Sequence, residues 1–290
     1  MTHDTTTLPK LLSTLRRLTP RDRALLNLLD DHQILTTSQV ADLLFGSVGA
    51  ARRRLRTLEQ LDLLTRHATA RANGSRSELI CSLGPVGEQL RPQAVMSLDD
   101  PSEPAPARHV ERVARLAASP RLPGVLAANG FFAALTKASR VMPDAELLRW
   151  WSPRRTAAFW NDTDVRPDGH GLWRVGSRTV GFFLHYDAGE ASAREVLDQL
   201  DAYRKLAGAG GPRYSVLLWV PDQQRARLLL AAIGDGEDIP VAVGVQGEDP
   251  AGTMWRLASE RSGSYALHEL PSHPGRRSPG TPSCRATHGW

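Results

Sequence analysis

Residues 36 to 83 constrain this chain more than any other stretch, because a capped helix, an arginine-studded helix and two strands follow one another there at close spacing. Thr36-Thr37-Ser38-Gln39 has the spacing of a capping box, and Val40, Leu43 and Leu44 supply the apolar stripe of a short helix that Gly46 ends. From Ser47 onward Val48, Ala51, Leu55 and Leu58 recur at helical intervals and face a core, which turns the intervening residues outward. At ~100° per residue, Arg53 and Arg56 point farthest from that stripe, with Arg52 and Arg54 flanking it. Leu63 to His67 and Leu79 to Leu83 read as strands joined through Arg71-Ala72-Asn73-Gly74-Ser75-Arg76. Upstream, Thr19-Pro20-Arg21-Asp22 starts a further helix, with Leu25, Leu28 and Leu29 on its inner face.

That order is the order of a winged helix-turn-helix, in which a recognition helix enters the major groove and a basic wing lies on the backbone or minor groove. Arginine suits both tasks, since its guanidinium pairs with guanine edges and clamps phosphates. The expected contacts to duplex DNA are Thr37, Ser38, Gln39, Arg52, Arg53, Arg54 and Arg56, together with Arg71 and Arg76 of the wing. Two plainer readings stand beside it: a solvated helix surface, and a winged helix that docks protein.

Charge distribution agrees with the DNA reading. Residues 1–92 hold 13 basic and 9 acidic side chains, residues 93–270 hold 20 and 22, and residues 271–290 hold 3 and none, so the net charge of +5 sits at the two ends. Lysine occurs only at positions 10, 137 and 205, an arginine bias that a GC-rich genome would also produce. Cys81 and Cys284 give neither a disulfide framework nor metal-ligand spacing. No run approaches the ~18 apolar residues needed to cross a bilayer, and Met1 to Lys10 is too polar for a secretory signal, so a cytoplasmic protein with no membrane partner is expected.

Four segments follow from these signals: a winged helix-turn-helix over 1–91, a linker rich in proline and acid over 92–106, an α/β domain over 107–270 and a disordered basic tail over 271–290. Within the third, helices are expected at His109 to Ala118 and Leu122 to Val141. Strands follow at Leu147 to Trp151, Gly171 to Val175 and Thr179 to Tyr186, then a helix at Ala191 to Ala207. Tyr214 to Val220 reads as a strand, Gln223 to Ile233 as a helix and Pro240 to Val245 as a last strand. This order resembles the core of restriction-endonuclease-like proteins, with a mixed sheet flanked by helices.

One constellation there carries possible chemistry. Arg166-Pro167-Asp168-Gly169 precedes one strand and Phe182-Phe183-Leu184-His185-Tyr186-Asp187 closes the next. Nucleases of that superfamily carry an Asp after a Pro, then an acid-x-Lys on the neighbouring strand, and the set holds a divalent metal that activates water. Strand alternation puts His185 and Asp187 on one face, toward Asp168. The candidate catalytic residues are therefore Asp168, His185 and Asp187, with Asp168 and Asp187 as ligands for Mg or Mn if the domain cleaves. The acidic position holds His185 and the lysine position holds Asp187, so a degenerate, non-cleaving domain is the expectation. Gln199 and Tyr203 lie one helical turn apart in a Gln-x-x-x-Tyr pattern, and Lys205 would have to reach back to replace the missing lysine. Asp187 also has a plainer use as the cap of the turn before Gly189.

Taken together, Leu18-Thr19-Pro20-Arg21-Asp22, Leu35 to Ala41, Arg52-Arg53-Arg54-Leu55, Leu61 to Arg66, Arg166 to Gly169 and Phe182 to Asp187 resemble the replication-relaxation family of plasmid and mobile-element proteins over about residues 16 to 245. The resemblance implies DNA binding in plasmid replication, transfer or transcriptional control, without a required cofactor. Members typically carry glutamate where this chain has His185, and Asp-Arg-Gly-Thr where it has Asp187-Ala188-Gly189-Glu190. A homodimer is expected, because paired half-sites multiply affinity. Docking of a replication or transfer protein through Trp150, Trp151 and Trp160 is the third possibility, with burial of those rings as its counter-evidence.

Overall fold

The computed structural model describes residues 15–68, 78–90, 108–234, 238–260 and 262–276. Arg71, Arg76 and the 92–106 linker lie outside the described residues, as does the tail beyond Arg276. The fold is mixed α/β, and packing separates one compact unit that ends at Asn129 from another that begins at Gly130.

In the first unit, helix α1 (Pro20–His32) starts on a complete capping box between Thr19 and Asp22. Strand β1 (Leu35–Thr36) leads into α2 (Thr37–Val40), which continues as a π-helical turn over Ala41–Phe45. Gly46 stops it at φ 72, a left-handed conformation that favours glycine. Helix α3 (Val48–Glu59) follows, capped by the Ser47 hydroxyl, and strands β2 (Leu64–Ala68) and β3 (Leu79–Leu83) form an antiparallel hairpin. β1 pairs with the free edge of β3, giving the order β1-β3-β2. Leu25, Leu29, Leu35, Val40, Ala51, Leu55, Leu58 and Leu63 fill the core. Val48, expected on the inner stripe, is 40% exposed because it sits at the first turn of α3, before the helix reaches the core.

Three further helices pack in this unit, the last of them through its N-terminal half. α4 (Pro85–Leu90) and α5 (His109–Ala118) are joined when His109 hydrogen-bonds both Thr65 on β2, at 2.9 Å, and Glu88 on α4, while Arg112 donates to Glu88. α6 (Leu122–Ala138) buries Leu122 with Ile34 and Ile80, and its Asn129 amide donates to the Ile34 carbonyl. The sequence put a new domain at 107, yet these side chains belong by contact to the first unit.

The second unit is built on a seven-stranded sheet. Strands β4 (Ala145–Trp151), β5 (Gly169–Val175) and β6 (Arg178–Tyr186) run as an antiparallel meander. Helix α8 (Ala193–Gly208) then crosses over to β7 (Arg213–Val220), parallel to β6, and α9 (Gln223–Ile233) to β8 (Val241–Val245), parallel to β7. β9 (Arg256–Leu257) closes the order β4-β5-β6-β7-β8-β9. Period-two alternation sends Phe182 to one face, against Phe131 and Phe132, and Phe183 to the other, against Trp160, Tyr203 and Tyr214. The rings lie so close to the strands that glycine is required beneath them: a Cβ at Gly171 would come within 2.2 Å of the Phe182 ring, and one at Gly181 within 2.5 Å of Tyr214.

Several short elements escape the sequence reading, β1 and β9 among them. Short helix α7 (Pro153–Phe159) follows β4 under a Ser152 cap. Strand β10 (Ser272–His273) pairs with β7 where a disordered tail was expected, and there the Ser215 hydroxyl donates to the Pro271 carbonyl while the Gly181 amide donates to Ser272 Oγ.

Candidate nucleic-acid interface and the cleft of the second unit

Helix α3 sorts its arginines by side. Ala51, Leu55 and Leu58 hold the helix to the core, and Arg52, Arg53 and Arg56 stand exposed with no ion pair among the described residues. Arg54 differs. Its guanidinium grips the fully buried Asp22 carboxylate with two nitrogens, Nε at 2.7 Å from Oδ1, and Asp22 also accepts the Thr19 amide and hydroxyl. Burial would raise the Asp22 carboxyl, but Arg54 and Thr19 outweigh it and hold the group below the usual carboxylate range. The pair therefore fastens the first turn of α1 to the middle of α3.

Three expected DNA contacts are corrected by this geometry. Thr37 is buried and its hydroxyl donates to the Leu79 carbonyl. Gln39 is buried, with its oxygen accepting the Thr36 amide and its nitrogen donating to Leu126. Arg54 is committed to Asp22, so all three hold the unit together from inside. Ser38 remains half-exposed, with its amide donating to the Glu78 carboxylate.

The sequence reading passed over a second basic group. Arg16, Arg17, Arg21 and Arg23 are exposed around the start of α1, where Arg23 donates to the Leu15 carbonyl. Arg21 is the chain neighbour of Asp22, and Arg53 of Arg54, so the ion pair brings the two arginine groups onto joined elements. The signal was present as four arginines flanking one buried-pair acid, but only a fold shows which acid is buried.

In the second unit, a cleft of about 620 Å³ is lined by Arg166, Asp168, His185, Gln199, Tyr203 and Lys205, and also by Asp164, Asp198 and Asp201. Asp168 accepts the Tyr186 amide at 2.8 Å through Oδ2, an edge-to-edge contact that follows from its place just before β5. His185 Nε2 and the Tyr203 hydroxyl are hydrogen-bonded at 2.7 Å. Burial pushes the His185 imidazole down to about 4, so it is neutral at pH 7. The Tyr203 hydroxyl is raised well above its ordinary value, by burial first and then by the Asp168 charge.

Asp187 is absent from this cleft, which corrects its expected catalytic and metal-binding roles. It lies one residue past the end of β6, where alternation no longer governs direction, and is buried with Oδ2 at 2.6 Å from Arg225 Nε and Oδ1 accepting the Gly189 amide. The plainer reading, a cap on the turn before Gly189, is the observed one. The remaining donors do not fit a divalent ion of the nuclease type. Asp168 offers one carboxylate with an oxygen already held by a backbone amide, and no group of three His, Cys, Asp or Glu among the described residues is placed to bind a metal.

The replication-relaxation family model matches residues 26–216, two-thirds of the chain. The chain belongs to the replication-relaxation family. Membership points to replication or transfer of plasmids and other mobile elements as its setting. No curated protein and no solved structure matches it. Among the described residues no helix of this family member is long and apolar enough to cross a membrane. Of its three candidate anchor rings, Trp150 and Trp160 are buried in the sheet unit and only Trp151 is half-exposed.

Proposed function

We propose that this replication-relaxation protein is a cytoplasmic DNA-binding factor whose first unit is a winged helix-turn-helix reading duplex DNA, with α3 as recognition helix. The observation that carries the reading is the split on α3: three arginines stand in solvent with no ion pair among the described residues, while the fourth is fixed to Asp22 and sets the helix in place. Exposed guanidinium groups on a rigid helix pair with guanine edges or phosphates at little ordering cost. Arg16, Arg17 and Arg21 add phosphate contacts that position without specifying. The second unit is a nuclease-like scaffold that clamps DNA or joins two copies of the chain on paired half-sites, without cleavage, because the acid that would complete its metal site is turned inward to Arg225.

Electrophoretic shift of a duplex over a salt series tests this. Affinity should fall steeply with salt, and Arg53→Ala with Arg56→Ala should weaken binding by about 1–3 kcal/mol per residue while flattening the salt slope. A shift indifferent to both changes would move the reading surface elsewhere. Nicking of supercoiled plasmid with Mg or Mn, abolished by Asp168→Ala, would instead establish an enzyme.

A further inference from the structure

Helix α3 carries two residues on its outer face that neither the core nor the arginine row accounts for. Val48 stands 40% exposed in the first turn, a large apolar side chain left in solvent. Gly49 follows it, exposed and inside the helix. At ~100° per residue, position 49 falls between Arg53 and Arg56 on the side farthest from Ala51, Leu55 and Leu58. Glycine there costs helix stability relative to alanine. Its φ is not positive, so the backbone does not require it. Packing does not require it either: among the described residues a Cβ at Gly49 would meet one atom, Arg53 Nη1, at an ordinary 3.7 Å.

The same distance places the Arg53 guanidinium. It lies back along the helix over the bare backbone of position 49, in the N-terminal direction that helical side chains take. The charge of this face is of one sign, since the single acid of α3, Glu59, sits at the other end and is ion-paired with Arg66. The Ser47 hydroxyl accepts the Ala50 amide at 3.3 Å, so the turn is capped from within. What the first turn presents outward is a guanidinium, a strip of uncovered backbone and an isopropyl group. The major groove of duplex DNA offers the counterparts together: guanine O6 and N7 accept from a guanidinium, and the thymine C5-methyl is the apolar group on a base edge. A side chain at the outermost position would hold the helix off the base edges, and its absence lets the backbone approach them.

We propose that the first turn of α3 sets the base specificity of this protein: Val48 packs on the methyl group of a thymine, Arg53 pairs with an adjoining guanine, and Gly49 is the clearance that lets both reach. This inference rests on the winged-helix reading of the first unit and adds to it which residues read bases.

Selection by the full chain from a pool of duplexes with a randomised core supplies the probe. An A·T pair beside a G·C pair should recur among the selected duplexes. Replacing the thymine of that pair by deoxyuridine deletes only the methyl group and should weaken the parent about fourfold, whereas Val48→Ala should bind both duplexes equally. Gly49→Ala should weaken the selected duplex about tenfold while thermal unfolding followed by circular dichroism stays the same or moves to higher temperature. A glycine needed only by the fold would show the opposite, a lower midpoint. Selected duplexes without such a step, indifference of the parent to deoxyuridine, or full affinity in Gly49→Ala overturns the proposal. If Arg53→Ala with Arg56→Ala weakens binding while Val48→Ala and Gly49→Ala do not, the winged-helix reading stands and only the reading of bases by this turn is lost; indifference to all four changes removes both.

Discussion

On helix α3 three of four arginines face water, whereas the candidate catalytic groups of the second unit have already found partners inside the protein. Arg52, Arg53 and Arg56 are exposed and only Arg54 is tied down; Asp187, His185 and Asp168 are held by Arg225, by Tyr203 and by the Tyr186 amide. The contrast separates an exposed row of guanidinium groups, which the proposed function gives to DNA, from a set of candidate catalytic groups that has been folded back on itself. A residue type says what chemistry is available, and only its partners say whether that chemistry is free.

The largest effect should come from the one arginine of α3 that is internal. Asp22→Ala strips Arg54 of its partner and removes half of a capping box, and should cost about 3 kcal/mol of stability in the first unit. Every tryptophan and tyrosine of the chain lies at or beyond position 150, so circular dichroism must read this loss while tryptophan emission stays steady. If the loss matches that of Arg53→Ala, the division of α3 into an inner and an outer arginine fails.

On the other side of the contrast, Asp187→Asn should destabilise the second unit by about 2 kcal/mol, since it leaves a buried guanidinium without its counter-charge. Asp168→Asn keeps an oxygen that can still accept the Tyr186 amide, and should cost clearly less. Urea unfolding followed by tryptophan emission ranks the two. Equal costs would mean that Asp187 is no more internal than the cleft acid.

A smaller effect sharpens the same point through pH. His170 is fully buried, its Nδ1–H donates to the Phe182 carbonyl, and burial pushes the imidazole down to about 3. Below the unfolded value of about 6.5 the unfolded chain therefore binds a proton that the folded one refuses, so stability is full above that pH and declines as pH falls toward 3, by ~1.4 kcal/mol per pH unit. His185, held down to about 4, adds in the same direction. The unfolding free energy at pH 5 should fall below that at pH 7, and His170→Asn should reduce the slope. An unchanged slope would show that His170 is not the group refusing the proton.

Much of the secondary structure was legible because its causes are local. Capping boxes at Thr19 and Thr36, the apolar stripe of α3 and the near-continuous apolar runs of β5 to β7, buried on both faces, are each written within a dozen residues. The sites were less legible because their deciding contacts are long-range. Nothing near Arg54 announces Asp22, and nothing near Asp187 announces Arg225. Alternation placed His185 in the cleft correctly because it lies inside β6, and misplaced Asp187 because the strand stops one residue earlier. Lys205 reached the cleft wall through the orientation of α8, which a single sequence does not encode. Helix α7 was missed because about two turns leave too little repeat to detect, and β10 because two residues in a run of proline, glycine and serine carry no period at all.

The clasp of residues 272 and 273 on β7 sets a limit on how far this protein can be shortened. Cutting after Leu270 would remove the carbonyl that Ser215 addresses and the hydroxyl that satisfies Gly181, leaving two polar groups stranded at the edge of a dry aromatic layer. A version trimmed for crystals or binding assays should keep its C-terminus through Arg276, whose amide reaches the Gly210 carbonyl, or it will trade a few superfluous residues for a frayed central strand.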